Sequence, residues 1–428
     1  MMATRLLMPF FLTADLFFVG RLAGVEAGAY GLGFAPMLFL QFLVIGGLQP
    51  VLLMGAQAVG AGEDESLGKI ARLGLLSLLL VVPAVGLMAV SLPSVFYFLD
   101  YAPDIASVAS RTAAVFGLSV PFLLIFLVGT FCLETLSQGH VGLVALMIGT
   151  ALNLLLNAVL APLSLEISGD ASSGVAYATV IARAAMAAVV WVYLLRHVDL
   201  TRYGFHGGFR GLAPLLGRVA RPARLTAISY GAEHGVAMVM IFIAASFGPA
   251  ALAVLQISLN YASLSGMAAV GAGAAGAVMV GRCVGANDPA GARRAGALAV
   301  AVGLTVLLPI SLFTLIFPDL IVSLFLRDAV DVDSAARIFR LAALLILSNG
   351  LFLMAGNLVR AASSVRYVLG AVIAANILIA IPAGVLLARV LNLGVWGLMA
   401  GMIIGGGLVA PVLYWRFRRI TARQVPRL

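Results

Sequence analysis

The chain has 428 residues, 63% of them hydrophobic and only 10% charged, with a formal net charge of +9. Its mean hydropathy of +1.13 lies far above that of water-soluble domains, which excludes a soluble enzyme and a soluble nucleic-acid-binding protein. Every basic residue except Lys69 is an arginine, and most lie between apolar runs, where they act as topology determinants.

A spanning helix needs about 20 apolar residues, and runs of that length recur along the whole chain. In order, the predicted spans are 3–20, 28–58, 68–92, 105–137, 141–164, 172–195, 213–247, 249–280, 291–317, 334–359, 367–389 and 394–415. Several exceed the length of a vertical span, which points to tilted helices or to helices that project past the bilayer. Asp15 interrupts the first run and no small-residue cleavage site follows cleanly, so residues 1–20 read as a helix rather than a signal peptide. The fourteen residues before Asp15 make only about 21 Å of helix. In the second span Pro36 and Pro50 are expected to introduce kinks, and Gln41, Gln49, Gln256 and Asn260 are candidate polar lining. The polar connector from Arg196 to about Arg224 separates an N-terminal six-helix lobe, 1–200, from a C-terminal one, 213–428, with 201–212 as a cytoplasmic linker.

With both termini cytoplasmic, nineteen basic residues fall on the inner side and six on the outer, so the arginines favour that orientation. The halves also resemble each other. Ala58-Val59-Gly60-Ala61 and Cys283-Val284-Gly285-Ala286 are 225 residues apart; Phe126-Leu127 and Phe352-Leu353 are 226 apart, an offset that aligns Ser137 with Ser363 and Glu134 with Arg360. Gly174-Val175 and Gly394-Val395 follow at 220. Six helices per half in one orientation predict a parallel repeat about a pseudo-two-fold axis along the membrane normal. The fold class expected is therefore an all-α polytopic membrane protein of twelve transmembrane helices in two six-helix lobes.

Of 17 acidic residues, only Asp15, Glu134 and Glu233 fall within apolar spans. A carboxylate there costs several kcal/mol to bury, so each must be protonated, ion-bound, paired or facing water, and each is a functional candidate. Asn153 and Asn157 are four apart and share a helix face. Arg183, about ten residues into the sixth span, needs an internal counter-charge or a wet face, and Asp15 is its candidate partner. Glu134 and Arg360 are read as interfacial or gate-lining. His234 adjoins Glu233 but points about 100° away on a helix. The glycines from Gly266 to Gly281 suit close helix packing, and the well-separated Cys132 and Cys283 suit core packing.

Asp15-Leu16-Phe17-Phe18-Val19-Gly20-Arg21-Leu22 resembles the first-helix signature of the multidrug and toxic compound extrusion (MATE) family. Further resemblance lies in Gln57 to Gly62, in Leu152-Asn153 to Asn157 with Gly174 to Arg183, and in Gln256 to Asn260 leading into Gly281 to Asn287. It covers nearly the whole chain. The resemblance implies a V-shaped pair of lobes and multidrug efflux: antiport of small amphipathic or cationic organic compounds against protons or sodium ions by alternating access. It also implies a first-lobe cation site at Asp15, with Asn153, Asn157 and Thr179 matching its remainder, and a second-lobe acid at Glu233 for substrate or coupling. Family members often carry a second carboxylate where Asn157 stands, and one branch has an aspartate where Asn349 stands. Both departures weaken a sodium site and favour protons.

Gly62 to Ile70 misses the nucleotide-binding loop in spacing and lacks Ser or Thr after Lys69, so direct ATP drive is not expected. HExxH, paired cysteines and Asp-rich magnesium motifs do not occur, so no enzyme, cofactor or metal is expected. A channel would call for a pore loop or a symmetric oligomer. The alternative is a lipid-linked saccharide flippase of related fold, for which Arg183 is too little deep positive charge. The expected partners are small organic substrates and membrane lipid, for a monomer in the inner membrane.

Overall fold

The computed structural model describes residues 15, 17–19, 21, 26–98, 102–208, 212–325, 332–423 and 425–428. The first span up to Ala14, the signature residues Leu16, Gly20 and Leu22, and the topology arginines Arg5, Arg210 and Arg327 lie outside them. Asp15, Phe17, Phe18, Val19 and Arg21 are helical. The helices that follow are α1 (Glu26–Gly60), α2 (Glu65–Leu76), α3 (Leu78–Phe98), α4 (Pro103–Gly117), α5 (Ser119–Thr135), α6 (His140–Ser168) and α7 (Ala171–His197). After the connector come α8 (Ala213–Ala245), α9 (Pro249–Gly285), α10 (Pro289–Ile316), α11 (Pro318–Phe325), α12 (Val332–Ala361), α13 (Val365–Ile373), α14 (Ile381–Val385) and α15 (Val395–Ile420). Among the described residues there is no strand, and eleven helical stretches are long and apolar enough to cross a membrane. α2 with α3 and α4 with α5 each form one such stretch; α13 and α14 form another through π-helical turns at Ala374–Ala380 and Leu386–Val390.

Two compact units result: one of Glu63–Ala223 with the described residues from Asp15 to Gly55, the other of Arg224–Leu428 with Ala56–Gly62. This differs from the expected boundary at 201–212. The described connector residues up to Gly208 fold onto the first unit: the Gly68 N–H donates to the Tyr203 carbonyl at 2.8 Å, and Arg72 Nη2 donates to the Gly204 carbonyl at 3.2 Å. The first turns of α8 belong with it. Gln57, at the end of α1, belongs to the second unit, where its Nε2 donates to the Ala361 carbonyl (2.9 Å) and to Ser363 Oγ (3.1 Å), and its Oε1 accepts the Leu428 N–H at 2.9 Å.

The repeat read from the sequence recurs in the backbone. Ser137 (φ 66°) and Ser363 (φ 62°) are both left-handed, and each follows the same helix-ending bonds: Ser137 N–H to Glu134 O and Gln138 N–H to Leu133 O, Ser363 N–H to Arg360 O and Ser364 N–H to Val359 O. Gly62 (φ 75°) and Asn287 (φ 54°), 225 apart, are likewise left-handed after α1 and α9. Burial repeats too: the most apolar windows of α1 and α9 are 61% and 72% buried, those of α4–α5 and α12 are 72% and 61%, whereas those of α2–α3 and α10 are 17% and 28%. The second and fourth spans of each half therefore form the inner helices of their units.

Close helix approach sets up the polar positions. A Cβ on Gly174 of α7 would collide with the Leu160 carbonyl of α6, so glycine lets these two backbones touch. Asp170 caps α7 by accepting the Ser173 N–H at 2.8 Å.

Candidate functional site

In the first unit, α6 and α7 present Asn153, Asn157 and Thr179 to Asp15, which is 1% exposed; the other three are wholly buried. Asn157 Nδ2 donates to Asp15 Oδ1 and Thr179 Oγ1 donates to Asp15 Oδ2, each at 2.8 Å. Behind them Asn157 Nδ2 also reaches Asn153 Oδ1 at 3.2 Å, and Asn153 Nδ2 donates to Thr179 Oγ1 at 3.3 Å. Asp15 thus closes a ring of four side chains. Every partner is neutral, and an amide or hydroxyl can exchange donor for acceptor by rotation. Asn157 Oδ1 has no hydrogen-bond partner among the described residues, so a turned Asn157 amide would offer an acceptor to a protonated Asp15. The buried Tyr30 hydroxyl lies beside Asp15 and interacts with it electrostatically, without a hydrogen bond inside 3.5 Å.

Arg183 is not the direct partner of Asp15 that the sequence suggested. Its guanidinium donates to Ser119 Oγ at 2.8 Å and to Gln41 Oε1 at 3.0 Å, and stacks 4.8 Å from the centre of the Phe116 ring. A helical repeat places Arg183 and Thr179 one turn apart, but the long side chain is claimed by α1 and α5, and Asp15 feels it only as a nearby charge. Gln41 is 5% exposed, and Gln49 is buried as well. Glu134, expected at an interface, is 2% exposed at the end of α5.

The second unit solves its acid differently. Glu233 of α8 is bonded through Oε1 to Arg360 Nη2 of α12, with side-chain exposures of 6% and 2%. Arg360 also donates to Ser229 Oγ at 2.9 Å and to Asn357 Oδ1 at 3.3 Å, and its guanidinium lies 5.1 Å from the centre of the Tyr230 ring. Asn349 is not the partner of Glu233, and the Glu233 ion pair is with Arg360. His234 Nδ1 bonds the Tyr230 carbonyl at 2.9 Å; Asn349 is exposed and lies eleven residues from Arg360, about 16 Å along the helix. Arg360 is accordingly an internal charge, held in a buried ion pair. Ser229 and Asn357, not singled out in the sequence, complete the pair; their signal is spacing, four residues from Glu233 and three from Arg360. Gln256 and Asn260 are exposed one turn apart on α9, a polar stripe on an apolar helix.

The sequence model of the family described as MatE matches residues 1–159 and 226–386. The chain belongs to the MATE family. The two matched segments begin 225 residues apart, as the internal repeat does. A probable multidrug resistance protein NorM of Caulobacter vibrioides is 31% identical over 298 residues, 67% of this chain and 61% of that protein. The NorM of Burkholderia vietnamiensis, a multidrug resistance protein, is 29% identical over 427 residues, 96% of this chain and 90% of the relative. Among solved structures, the eukaryotic MATE transporter AtDTX14 matches with a TM-score of 0.86 at 19% identity, covering 98% of this chain and 95% of that one. An outward-facing multidrug resistance MATE transporter matches at 0.88, with 19% identity and coverages of 99% and 94%. The fold is the two-lobe, twelve-helix MATE fold, and this MATE protein is a multi-pass membrane transporter and not an enzyme.

Proposed function

We propose that this MATE protein is a secondary active exporter of small amphipathic or cationic organic compounds, coupled to cation entry at Asp15, with the proton as the coupling ion. The Asp15 ring carries this reading. A buried carboxyl whose direct partners are one amide and one hydroxyl can be held as a carboxylate by two donors, or as an acid once the amide or hydroxyl turns to accept its proton. A sodium ion would call for more oxygen ligands than one carboxylate and neutral side chains already bonded to each other supply. The relatives' names as multidrug resistance proteins support the substrate class. The arginine distribution supports both termini in the cytoplasm of a bacterial inner membrane, and the chain is read as working as a monomer without ATP.

The mechanism follows from having two charge states in one place. Ionised Asp15 draws the ring together through the Asn157 and Thr179 bonds; a proton removes that pull and lets α6 and α7 relax from the Asp15 helix. Two arrangements of one packed unit, biased by a proton, are what alternating access requires. The test is efflux of a fluorescent organic cation by purified protein in liposomes, with proton and sodium gradients imposed separately. Efflux should follow the proton gradient without sodium; strict sodium dependence with no response to protons would overturn the reading.

A further inference from the structure

We propose that Arg360 is a built-in counter-cation that holds Glu233 and thereby excludes mobile cations, whether inorganic ions or the positive group of a substrate, from the carboxylate of the second unit. The inference rests on the transport reading only for its consequence; the site itself stands on four contacts. Arg360 meets Glu233, Ser229 and Asn357 by hydrogen bonds and the Tyr230 ring by its face, so one guanidinium has the anion, the neutral acceptors and the aromatic face that a buried organic cation needs. Ser229 Oγ also lies 3.4 Å from Glu233 Oε1, tying the acid to its own helix.

A diffusible cation would have to displace a cation tethered to the same protein and leave the guanidinium buried without its anion. The tether makes the competition intramolecular and one-sided. The contrast with Asp15 is chemical: that carboxyl has only neutral partners, and its neighbouring Arg183 is committed to Ser119 and Gln41. The cation at Asp15 is therefore supplied from solution, whereas the cation at Glu233 is supplied by the chain. Arg360 thus sets which of the two units answers to cations.

Removing the tether should turn the second unit into a guanidinium-binding site. Wild type, Arg360→Ala, and Arg360→Ala combined with Glu233→Gln are expressed and purified with and without ethylguanidinium, a free copy of the missing side-chain end. Arg360→Ala should bind ethylguanidinium at least tenfold more tightly than either other protein, and gain yield and melting temperature from it. Equal binding by all three proteins, or an Arg360→Ala protein that gains neither yield nor melting temperature from ethylguanidinium, overturns the proposal. Transport plays no part in this readout, so the Asp15 reading stands or falls separately.

Discussion

Asp15 and Glu233 are both carboxylates inside apolar helices, yet the two units neutralise them by opposite means. Asp15 is ringed by Asn153, Asn157 and Thr179, none of which carries charge. Glu233 is closed against Arg360, a full positive charge. The difference teaches that burial alone does not make a membrane acid a coupling site. A carboxyl with neutral, reversible partners can change its charge state without leaving a partner stranded. One locked to a guanidinium cannot, because losing either charge leaves the other buried and unpaired.

The comparison breaks most sharply at Asp15. Asp15→Asn mimics the protonated form with little change in volume, so gradient-driven efflux should fall to the background of empty liposomes, while equilibrium substrate binding changes by less than about threefold, ~0.6 kcal/mol. Retained coupling would place the ion site elsewhere. Next in size is the ion pair: Arg360→Gln should cost about 3–5 kcal/mol of stability in thermal unfolding, and the double change with Glu233→Gln should recover most of it. A double variant as unstable as the single one would show that packing of Arg360, not its charge, matters. Thr179→Val keeps shape but removes a donor to Asp15, which should cost about 1–2 kcal/mol and slow proton-driven efflux about tenfold; no change would remove Thr179 from the cluster's function. The smallest effect is expected at Arg202, paired with Asp64 at 2.9 Å in the solvated connector, where Asp64 raises the guanidinium above its ordinary pKa. Arg202→Ala should leave the melting temperature unchanged in low and high salt.

The spans were legible because apolar length is a local property. The repeat was legible because Ala58-Val59-Gly60-Ala61 with Cys283-Val284-Gly285-Ala286 and Ser137 with Ser363 recur in order at nearly one offset, and the left-handed turns at Ser137 and Ser363 then bear it out. Asp15, Asn153 and Asn157 stood out for the same local reason: a polar side chain at helical spacing in an apolar run announces itself. The break at Ser77, the short helix Pro318–Phe325 and the boundary at Ala223 were not legible, since each depends on what the segment packs against.

Sequence by itself determined the solvent, the span count, the duplicated halves and the set of buried polar residues, because hydropathy and periodicity are summed along the chain. Only the tertiary structure decided the partners. Arg183 lies four residues after Thr179 yet turns to Ser119 and Gln41, while Glu233 crosses 127 positions to find Arg360 and leaves Asn349 outside. Long charged side chains reach several neighbours within their rotamers, and which one they meet is set by how closely the helices pack, as at Gly174 against Leu160.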